Sequence, residues 1–577
     1  MAGPGGRHYI QTLTQENPGA EPLAGILPPL SYPAARKRNL QTAIDVHSNG
    51  EELLLSHRDL DGRLIVAQTS LAELTAAAAA VDEPGFTPAT VPRLGGVDPL
   101  GLRQINFDLM DQVFPGLNNV ARHIRPFVVV AWAWRRANQL AQGQGIDKIP
   151  LDHLQDFVDR IEVIYVWSQF LRTPEADLPG RLVLANLLQA DKWTFGGAAW
   201  QQRRTIRRYS TALTAPINYG PALKMLGWVK PHPKYPNILI ATPAAVPALD
   251  AFEAQITEFL GHPAFSKFGS VTVTAEEARG WSGAWALDSV TKAEADAMTE
   301  MLLGSDAPVC RQMGGELMLA AATHASTIEV DPLRSTMAGP PSDFMPPAHL
   351  LNIWEAWRRI EVRQLFRLSL EALLYWTIAT LEEKPKGTDA LVDVFLGQVS
   401  PPPNYANARE WLSASLPSAT GPTELMKRIE QALNAPSALD LAPSIIAALS
   451  FCLAESPPQE SHFERVDRLP LFRARREASV RAEGTSKDFV RHVFESWVLA
   501  QHVYWSVGRG LADARAQGKT LLRLKVMLDE AGWTLAPGAS RGSPPQPTPD
   551  RLQTLVSLAR ECGLLNSPGA KDLPAVR

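Results

Sequence analysis

A long amphipathic segment, residues 350–380, constrains the fold of this chain more than any other feature. Its apolar residues recur at three- and four-residue spacing, the period of one helix face. They are Leu350, Trp354, Trp357, Leu365, Leu368, Leu373 and Trp376. Such a broad stripe predicts a long helix buried against other helices. The fold class is therefore expected to be mainly α.

The length of 577 residues exceeds what one hydrophobic core usually supports, so we expect several domains. Its 47 prolines are more frequent than usual and separate periodic segments, as expected where many helices end. The patterning predicts five segments: 1–90, an arm with a small β-containing region; 91–198, a helical domain; 199–260, a winged-helix-like module; 261–400, a central helical domain; and 401–577, a C-terminal helical domain with a tethered last helix.

Two short regions break the helical pattern. Alternating apolar residues at 52–55 and 64–68 flank Asp61-Gly62, which predicts an N-terminal β-hairpin. Residues 199–256 read as a basic helix, a second helix ending at Gly227, a proline-rich hairpin and another helix. That order is typical of a winged-helix module.

Other periodic segments predict helices with one polar face. Residues 152–170 form an amphipathic pattern with charged residues outside, and a last long helical segment covers residues 487–533. The row Glu355, Arg359, Arg363, Arg367 and Glu371 repeats every four residues, the spacing of a solvated salt-bridge face. A second polar face follows at His492, Glu495, Leu499, His502, Ser506 and Arg509.

Composition excludes several classes of protein. Net charge is −4, so a protein that coats nucleic acid nonspecifically is disfavoured and any nucleic-acid contact is expected to be local. The three cysteines lack a paired spacing, which argues against a disulfide framework or a thiolate zinc site. Without a leader-like or membrane-spanning apolar run, we expect a cytoplasmic protein.

Motifs for catalysis are missing from the sequence. It contains no phosphate-binding loop, no dinucleotide fingerprint and no zinc-protease helix motif. Glu382-Glu383-Lys384 lacks the strand and upstream aspartate of a nuclease site. His492 and His502 are about three helical turns apart, too far to share one ion. The sequence thus favours a protein that is not an enzyme, with no cofactor or metal.

Basic clusters are the best candidates for binding. Arg203, Arg204, Arg207 and Arg208 form a compact patch at the entrance of the winged-helix-like module. Arg122, His123 and Arg125 follow a Gly116–Asn119 segment that is either a turn with a helix cap or a backbone nest for phosphate. These residues are the candidate DNA contacts, with an acidic partner protein or a solvated surface as the alternatives.

The C-terminal region supplies candidate partner contacts. An arginine cluster and two aromatic residues are expected to meet another protein: Arg473, Arg475, Arg476, Trp497 and Trp505. The apolar helix at residues 550–562 follows a proline-rich segment, 537–549, that reads as a flexible linker. It is too short to be stable alone, so we expect it to pack on a partner or a second copy of the chain.

Two blocks resemble a group of uncharacterised bacterial proteins. They are DPLG at 98–101 through FPGLNN at 114–119 to RHIRP at 122–126, and WEAWRRIEVRQLFRLSLEALLYW at 354–376. The group is associated with restriction and phage-defence gene neighbourhoods. The resemblance implies a non-catalytic subunit of an anti-phage complex whose partners, a helicase, nuclease or methyltransferase, carry the chemistry. A divergent metal-dependent nuclease and a protein scaffold without nucleic acid are the alternatives.

Overall fold

The structure is a computed structural model, and its described residues are mainly helical, as the sequence predicts. They are residues 98–144, 149–181, 184, 189–196, 220–418, 420–435, 441–454, 469–507 and 524–565, with the backbone of strands at 45–49, 52–58, 64–70, 85–86 and 521–522. Within these ranges, none of the helices combines the length and the apolar character that a membrane crossing requires.

The first part of the chain mixes short strands with helices. In order it contains β1 (Asp45–Asn49), β2 (Glu52–Arg58), β3 (Leu64–Ser70), β4 (Gly85–Phe86), α1 (Arg103–Val113), α2 (Ile124–Gln144), α3 (Leu151–Arg172), β5 (Lys192–Phe195), α4 (Gly220–Met225), β6 (Val229–Pro231), β7 (Leu239–Ala241), a 3₁₀ turn (Pro243–Ala245), α5 (Val246–Gln255), a 3₁₀ turn (Thr257–Phe259), α6 (Pro263–Ser266), β8 (Val271–Thr274), α7 (Ala275–Trp281), α8 (Lys292–Leu303), α9 (Val309–Ala325) and α10 (Val330–Ala338).

The second part is helical except near its end. It contains a 3₁₀ turn (Ala348–Leu350), α11 (Leu351–Leu381), α12 (Thr388–Leu396), α13 (Ala408–Ala414), α14 (Pro422–Asn434), α15 (Leu441–Ala454), α16 (Leu471–Arg481), α17 (Ser486–His492), a π-helical segment (Val493–Leu499), β9 (Leu521–Leu522), β10 (Val526–Asp529), β11 (Gly532–Leu535) and α18 (Leu552–Glu561).

The chain forms two compact units, each built from separate stretches of sequence. Unit 1 consists of the chain up to Leu109, Ala338–Pro341 and Trp357–Thr548. Unit 2 consists of Met110–Met337, Ser342–Ala356 and the chain from Pro549 onward.

The N-terminal strands of unit 1 confirm the predicted β-hairpin. Strands β2 and β3 pair antiparallel from Glu52↔Ser70 to Arg58↔Leu64, on either side of Asp61-Gly62. Strand β1 adds to the free side of β2, so the hairpin is part of a three-stranded antiparallel sheet. The arm predicted at the start of segment 1–90 lies outside the described residues.

Helix α11 confirms the long helix predicted at residues 350–380, but its polar row is not solvated. Every residue from 360 to 374 is buried, including Arg363, Arg367 and Glu371. The expected surface salt-bridge face is therefore wrong from Arg363 onward. The physical reason is that the apolar core of unit 1 surrounds α11, which leaves its polar residues no side that faces water.

Partners within unit 1 compensate the buried charges of α11. Arg367 donates from Nη1 to Glu371 Oε2 at 2.5 Å and from Nη2 to the Gln546 carbonyl oxygen at 2.8 Å. Arg103, near the start of α1, lies 3.4 Å from the same Glu371 oxygen. Buried ions are tolerated when they are paired and hydrogen-bonded in this way.

The proline-rich segment at residues 537–549 is anchored, which corrects its prediction as a flexible linker. The Gln364 side chain donates to the Thr548 carbonyl oxygen at 2.8 Å and accepts from the Thr548 amide at 3.1 Å. Together with the bond from Arg367 to Gln546, these buried contacts fix the segment on α11. Composition suggested flexibility, whereas hydrogen bonds to a distant helix determine the outcome.

The predicted polar face of the C-terminal helix is buried instead of solvated. His492, Glu495, His502 and Ser506 are each less than a tenth exposed. His502 Nδ1 lies 2.8 Å from the Pro99 carbonyl oxygen, and its Nε2 accepts from the Lys525 amide at 2.9 Å. The imidazole therefore carries its proton on Nδ1 and links two distant loops of unit 1.

The helix predicted at residues 487–533 is correct only in its first part. Helical residues continue through the π-helical segment to residue 507, but β10 and β11 form an antiparallel hairpin, from Val526↔Leu535 to Asp529↔Gly532. Gly532, with φ of +109°, ends the turn in a conformation that favours glycine. The helical periodicity of the sequence continues through this turn, although the alternation at Val526 and Leu528 favours a strand.

Two charged residues of α3 are likewise buried. The helix confirms the segment predicted at 152–170, but its charged outer face is accessible only in the first part: Asp152 is exposed and Asp156 and Asp159 are half-buried, whereas all residues from 161 to 170 are buried. Arg160 donates to the carbonyl oxygens of Lys267 and Gly269, at 2.6 and 3.1 Å. Burial lowers the pKa of Arg160 to about 10. Backbone carbonyl oxygens of unit 2 thus accept the hydrogen bonds that water would accept from an arginine on a solvated helix face.

The last helix, α18, packs within unit 2. Its apolar residues are buried, the Thr554 hydroxyl donates to the Asn118 carbonyl oxygen at 2.7 Å, and Arg560 donates to the Ile328 carbonyl oxygen. The expectation that this helix packs on a partner or a second copy is therefore wrong, because the chain itself covers its apolar face. A short helix needs such packing to be stable.

We predict that His502 makes folding stability depend on pH. Burial, opposed by the bond to Pro99 and aided by Lys525, lowers the pKa of His502 from 6.5 to about 4. Between these values the unfolded chain binds more protons than the folded chain, so stability falls as pH falls, by on the order of 3 kcal/mol. Urea unfolding at successive pH values measures this slope.

His502→Gln, which keeps a donor and an acceptor but does not titrate, should flatten the slope. Thr377→Val, at a buried residue of unit 1 whose side chain does not titrate, serves as the control and should keep the slope of the unaltered protein. An identical slope in His502→Gln and the unaltered protein would contradict the assignment.

Candidate nucleic-acid interface

A short helix, a hairpin and a second helix follow one another in unit 2, where the sequence predicts the winged-helix-like module. Helix α4 ends at Met225, two residues before Gly227, whose φ is +80°. The Trp228 amide donates to the Leu223 carbonyl oxygen and the Gly227 amide to that of Lys224, which is a Schellman motif. Strands β6 and β7 then pair antiparallel, and α5 follows after a 3₁₀ turn. The basic helix predicted at the start of the module lies outside the described residues.

The hairpin base is fixed to helix α2. Trp228 is fully buried and its ring stacks on Phe127 at a centroid distance of 6.4 Å. The Asn138 side chain of α2 donates to the Leu239 carbonyl oxygen at 2.8 Å in a buried contact. Thr242 donates to the Gly227 carbonyl oxygen at 2.6 Å and closes the base of the hairpin. The hairpin is therefore a projection with a rigid base.

The hairpin and α4 present cations without nearby acidic residues on the same segment. Lys224, Lys230 and Lys234 are exposed. From residue 192 to residue 249 the sequence contains no aspartate or glutamate, while its basic residues are Lys192, Arg203, Arg204, Arg207, Arg208, Lys224, Lys230 and Lys234. Such a one-sided distribution in a chain of net charge −4 gives a local positive potential.

The first acidic residues after this segment, Asp250 and Glu253, form ion pairs with Arg135 of α2. Asp250 Oδ1 accepts from Arg135 Nη1 at 2.6 Å, and Glu253 Oε2 accepts from Arg135 Nη2 at 2.8 Å. The Trp132 indole also donates to Glu253 Oε2, at 2.8 Å. The carboxylates of α5 are thereby paired with α2, which preserves the positive character of the hairpin.

Sequence patterns pointed to Arg203, Arg204, Arg207 and Arg208, which lie outside the described residues, and missed the hairpin lysines. The acid-free stretch was the signal that could have identified Lys230 and Lys234. Clustered arginines are conspicuous, whereas isolated lysines become visible only when the absence of opposite charge around them is considered.

Arg122, His123 and Arg125 face carboxylates of unit 2. Arg122 lies 3.5 Å from Asp177, and His123 Nδ1 lies 2.6 Å from Glu561. Burial alone would lower the pKa of His123, but the hydrogen bond and charge of Glu561 outweigh it, so this pKa is raised. Glu561 also accepts from the Ile124 amide at 2.7 Å, so a carboxylate occupies the start of α2.

Arg125 is enclosed in the core of unit 2. Its guanidinium has no exposed surface and lies 3.0 Å from Glu294, while Nη1 donates to Gln255 Oε1 at 2.8 Å. Burial lowers the pKa of Arg125 and raises that of Glu294, and each charge opposes the shift of the other. At this position the side chain ties α2 to α5 and α8 and is not accessible to a phosphate backbone.

The Gly116–Asn119 segment, for which a turn and a phosphate nest were both open, has the contacts of a turn. Gly116 has a φ of +81°. The Asn118 carboxamide oxygen accepts from the amides of Val120 and Ala121, at 2.9 and 2.7 Å. The Asn119 carboxamide oxygen accepts from the Arg551 amide at 3.0 Å.

Two of the five expected partner residues, Arg473 and Trp497, are buried in unit 1. Arg473 and the Trp497 indole both donate to Glu477, at 2.7 Å each, and Glu477 Oε2 lies 2.9 Å from His492 Nε2. These contacts outweigh burial and hold the pKa of the Glu477 carboxyl well below its usual range.

The other three candidates differ in exposure. Arg475 donates twice to the Cys452 carbonyl oxygen, at 3.0 and 2.7 Å. Trp505 is half-buried against Gly101, where an added Cβ would lie 2.4 Å from the indole. Arg476 is exposed.

The two histidines considered as metal ligands have separate partners. His492 contacts Glu477, whereas His502 contacts the backbone of Pro99 and Lys525. In the part of the chain that the structure describes, no three histidine, cysteine, aspartate or glutamate side chains are grouped to hold a metal ion.

We predict that Asn138→Ala loosens the hairpin base. The substitution leaves the buried Leu239 carbonyl oxygen without its donor, which costs about 1–3 kcal/mol. Urea unfolding and faster amide exchange in the hairpin measure the effect. Asn434→Ala is the matched control, because Asn434 makes the same bond to the residue four positions earlier but is exposed. Equal stability of the two variants would show that Asn138 does not anchor the hairpin.

No family model, no curated protein and no solved structure matches this chain. The hairpin lysines and their acid-free surroundings are therefore the features on which a function can be argued.

Proposed function

We propose that this protein is a non-catalytic subunit of a bacterial anti-phage defence complex. It contacts DNA locally through the winged-helix-like module and docks partner proteins that carry the chemistry. The contact is mainly electrostatic, because lysines and arginines replace counterions on the phosphate backbone. The partners are a helicase, nuclease or methyltransferase.

The observation that carries this proposal is the exposed hairpin on an acid-free segment. Lys230 and Lys234 project from a hairpin whose base is held by Trp228 and Asn138. A rigid projection loses little conformational entropy when it binds, so even a few charged contacts give useful affinity. The carboxylates of α5 pair with Arg135 and do not repel a phosphate backbone from the hairpin.

One resemblance expected from the sequence and one structural observation support the assembly. The blocks at residues 98–126 and 354–376 resemble proteins from restriction and phage-defence neighbourhoods. Helix α16 exposes Arg476 and, one turn later, Val480, which is 76% exposed. A large apolar side chain beside a cation on an exposed helix face suits a partner protein.

We predict that Lys230→Glu/Lys234→Glu weakens DNA binding for every sequence. Each lost phosphate contact should reduce the slope of log K against log salt by up to about 0.9. Fluorescence anisotropy with a labelled duplex at several salt concentrations measures both quantities.

The control variant is Lys384→Glu/Lys427→Glu, which changes net charge equally at two exposed lysines of unit 1. It should retain the affinity and slope of the unaltered protein. If the hairpin variant binds as well as this control, the hairpin is not the DNA contact.

We make the same prediction for the arginine patch. Replacing Arg203, Arg204, Arg207 and Arg208 by alanine should weaken binding to all sequences and make the salt dependence shallower, because four cations that can face phosphate are lost. The same titration measures the effect. Unchanged affinity and slope would remove this patch from the interface.

A further inference from the structure

The tip of the β6–β7 hairpin carries a pair of stacked rings between its lysines. The Tyr235 ring lies on the His232 ring at a centroid distance of 5.3 Å and an interplanar angle of 26°. Lys234 Nζ lies 5.1 Å from the centre of the Tyr235 ring, a cation–π contact. Both rings are partly exposed. Phosphate attraction alone does not require this arrangement.

Hydrogen bonds fix the ring pair before any ligand binds. His232 Nδ1 accepts from the amides of Lys234 and Tyr235, at 3.1 and 3.3 Å. The proton of the neutral ring is therefore on Nε2. The Ile238 amide donates to the Tyr235 carbonyl oxygen at 2.9 Å, and the His232 amide donates to the Ile238 carbonyl oxygen at 2.8 Å.

Prolines restrict the tip further. Pro231, Pro233 and Pro236 flank His232 on both sides and the Lys234-Tyr235 pair on both sides. Each proline restricts its own backbone φ angle. The unbound tip therefore has few conformations to lose. Because its two rings are held in one arrangement, a flat ligand that stacks on them loses little binding free energy to ordering the tip.

A nucleic-acid base is the flat partner that this chemistry fits. Stacking on an aromatic ring contributes about 1–3 kcal/mol per base and tolerates any sequence. Base faces are covered inside a duplex and become accessible in a single strand or an overhang. A base that stacks on the tip displaces the Lys234 ammonium from the ring, and the ammonium can then contact the adjoining phosphate.

We propose that the hairpin tip binds unpaired bases, so that the DNA ligand of this protein is single-stranded or carries a single-stranded overhang. This inference rests on the proposed DNA contact and specifies its substrate class. Tyr235, supported by His232, supplies the stacking surface, while Lys230 and Lys234 supply the phosphate contacts. A duplex without ends offers only the phosphate contacts.

Full-length protein tests the proposal with three labelled DNAs: a single strand, a duplex with an overhang, and a duplex closed by loops of a non-nucleotide linker. Tyr235→Ala should weaken binding to the first two by about 5- to 100-fold, the equivalent of one stacked base. Its binding to the closed duplex should not change. Tyr235→Phe, which keeps the ring, should bind all three DNAs like the unaltered protein.

A fluorescent base analogue in the single strand gives a direct readout of stacking. Its emission should be quenched by the unaltered protein and by Tyr235→Phe, and not by Tyr235→Ala. Amide exchange of the hairpin shows whether Tyr235→Ala keeps its fold; if it does not, Tyr235→Leu, which keeps apolar bulk without a ring, replaces it and should show the same selective loss.

The outcomes separate this inference from the proposed function. Equal weakening on all three DNAs, or full affinity of the folded ring-less variant for single strands, overturns the stacking role and leaves the DNA contact standing. If Lys230→Glu/Lys234→Glu also binds every DNA normally, the proposed DNA contact itself fails.

Discussion

Both units depend on one constraint: charged side chains of their helices are buried in the core and must find partners there. In unit 1, Arg367 and Glu371 of α11 pair in the core, and Arg367 also binds the Gln546 carbonyl oxygen. In unit 2, Arg160 of α3 binds two loop carbonyls. A buried guanidinium left without partners would cost several kcal/mol, so each arginine requires its loop to be in place. Loops without regular structure are thereby fixed on helices far away in the sequence.

This constraint also explains what the sequence could predict. The helix at residues 350–380 and the hairpin around Asp61-Gly62 follow from local periodicity and turn chemistry, and both are present. Exposure does not follow from periodicity, because a row of Arg363, Arg367 and Glu371 has the same spacing whether water or other helices surround it. The number of helices packed around α11 is a tertiary property. The partners of these charges, such as Gln546, lie in segments that look like linkers.

At the candidate interface, too, the sequence predicts the helix and the hairpin but not which basic residues are exposed. Helix α4, its end before Gly227 and the hairpin were predictable, since glycine and proline mark where elements stop. The lysines at the hairpin are isolated in sequence and are therefore less conspicuous than clusters of arginine. A cluster such as Arg122, His123 and Arg125 is conspicuous in sequence, yet Arg125 pairs with Glu294 in the core and His123 with Glu561. Cations close together in sequence are accessible only if the fold brings no acids to them.

Absence of acidic residues is therefore a stronger indication of an interface here than abundance of basic ones. Buried Arg125, Arg160 and Arg367 are each reached by a carboxylate or a carbonyl oxygen from a distant segment. Around the hairpin the nearest acids in sequence, Asp250 and Glu253, are paired with Arg135, and the intervening stretch contains none. Lys230 and Lys234 lie exposed on a tip that contains prolines and stacked rings, and the acid-free stretch around them gives a local positive potential. In the proposed function this potential attracts DNA, and in the proposed stacking role the rings distinguish unpaired from paired bases.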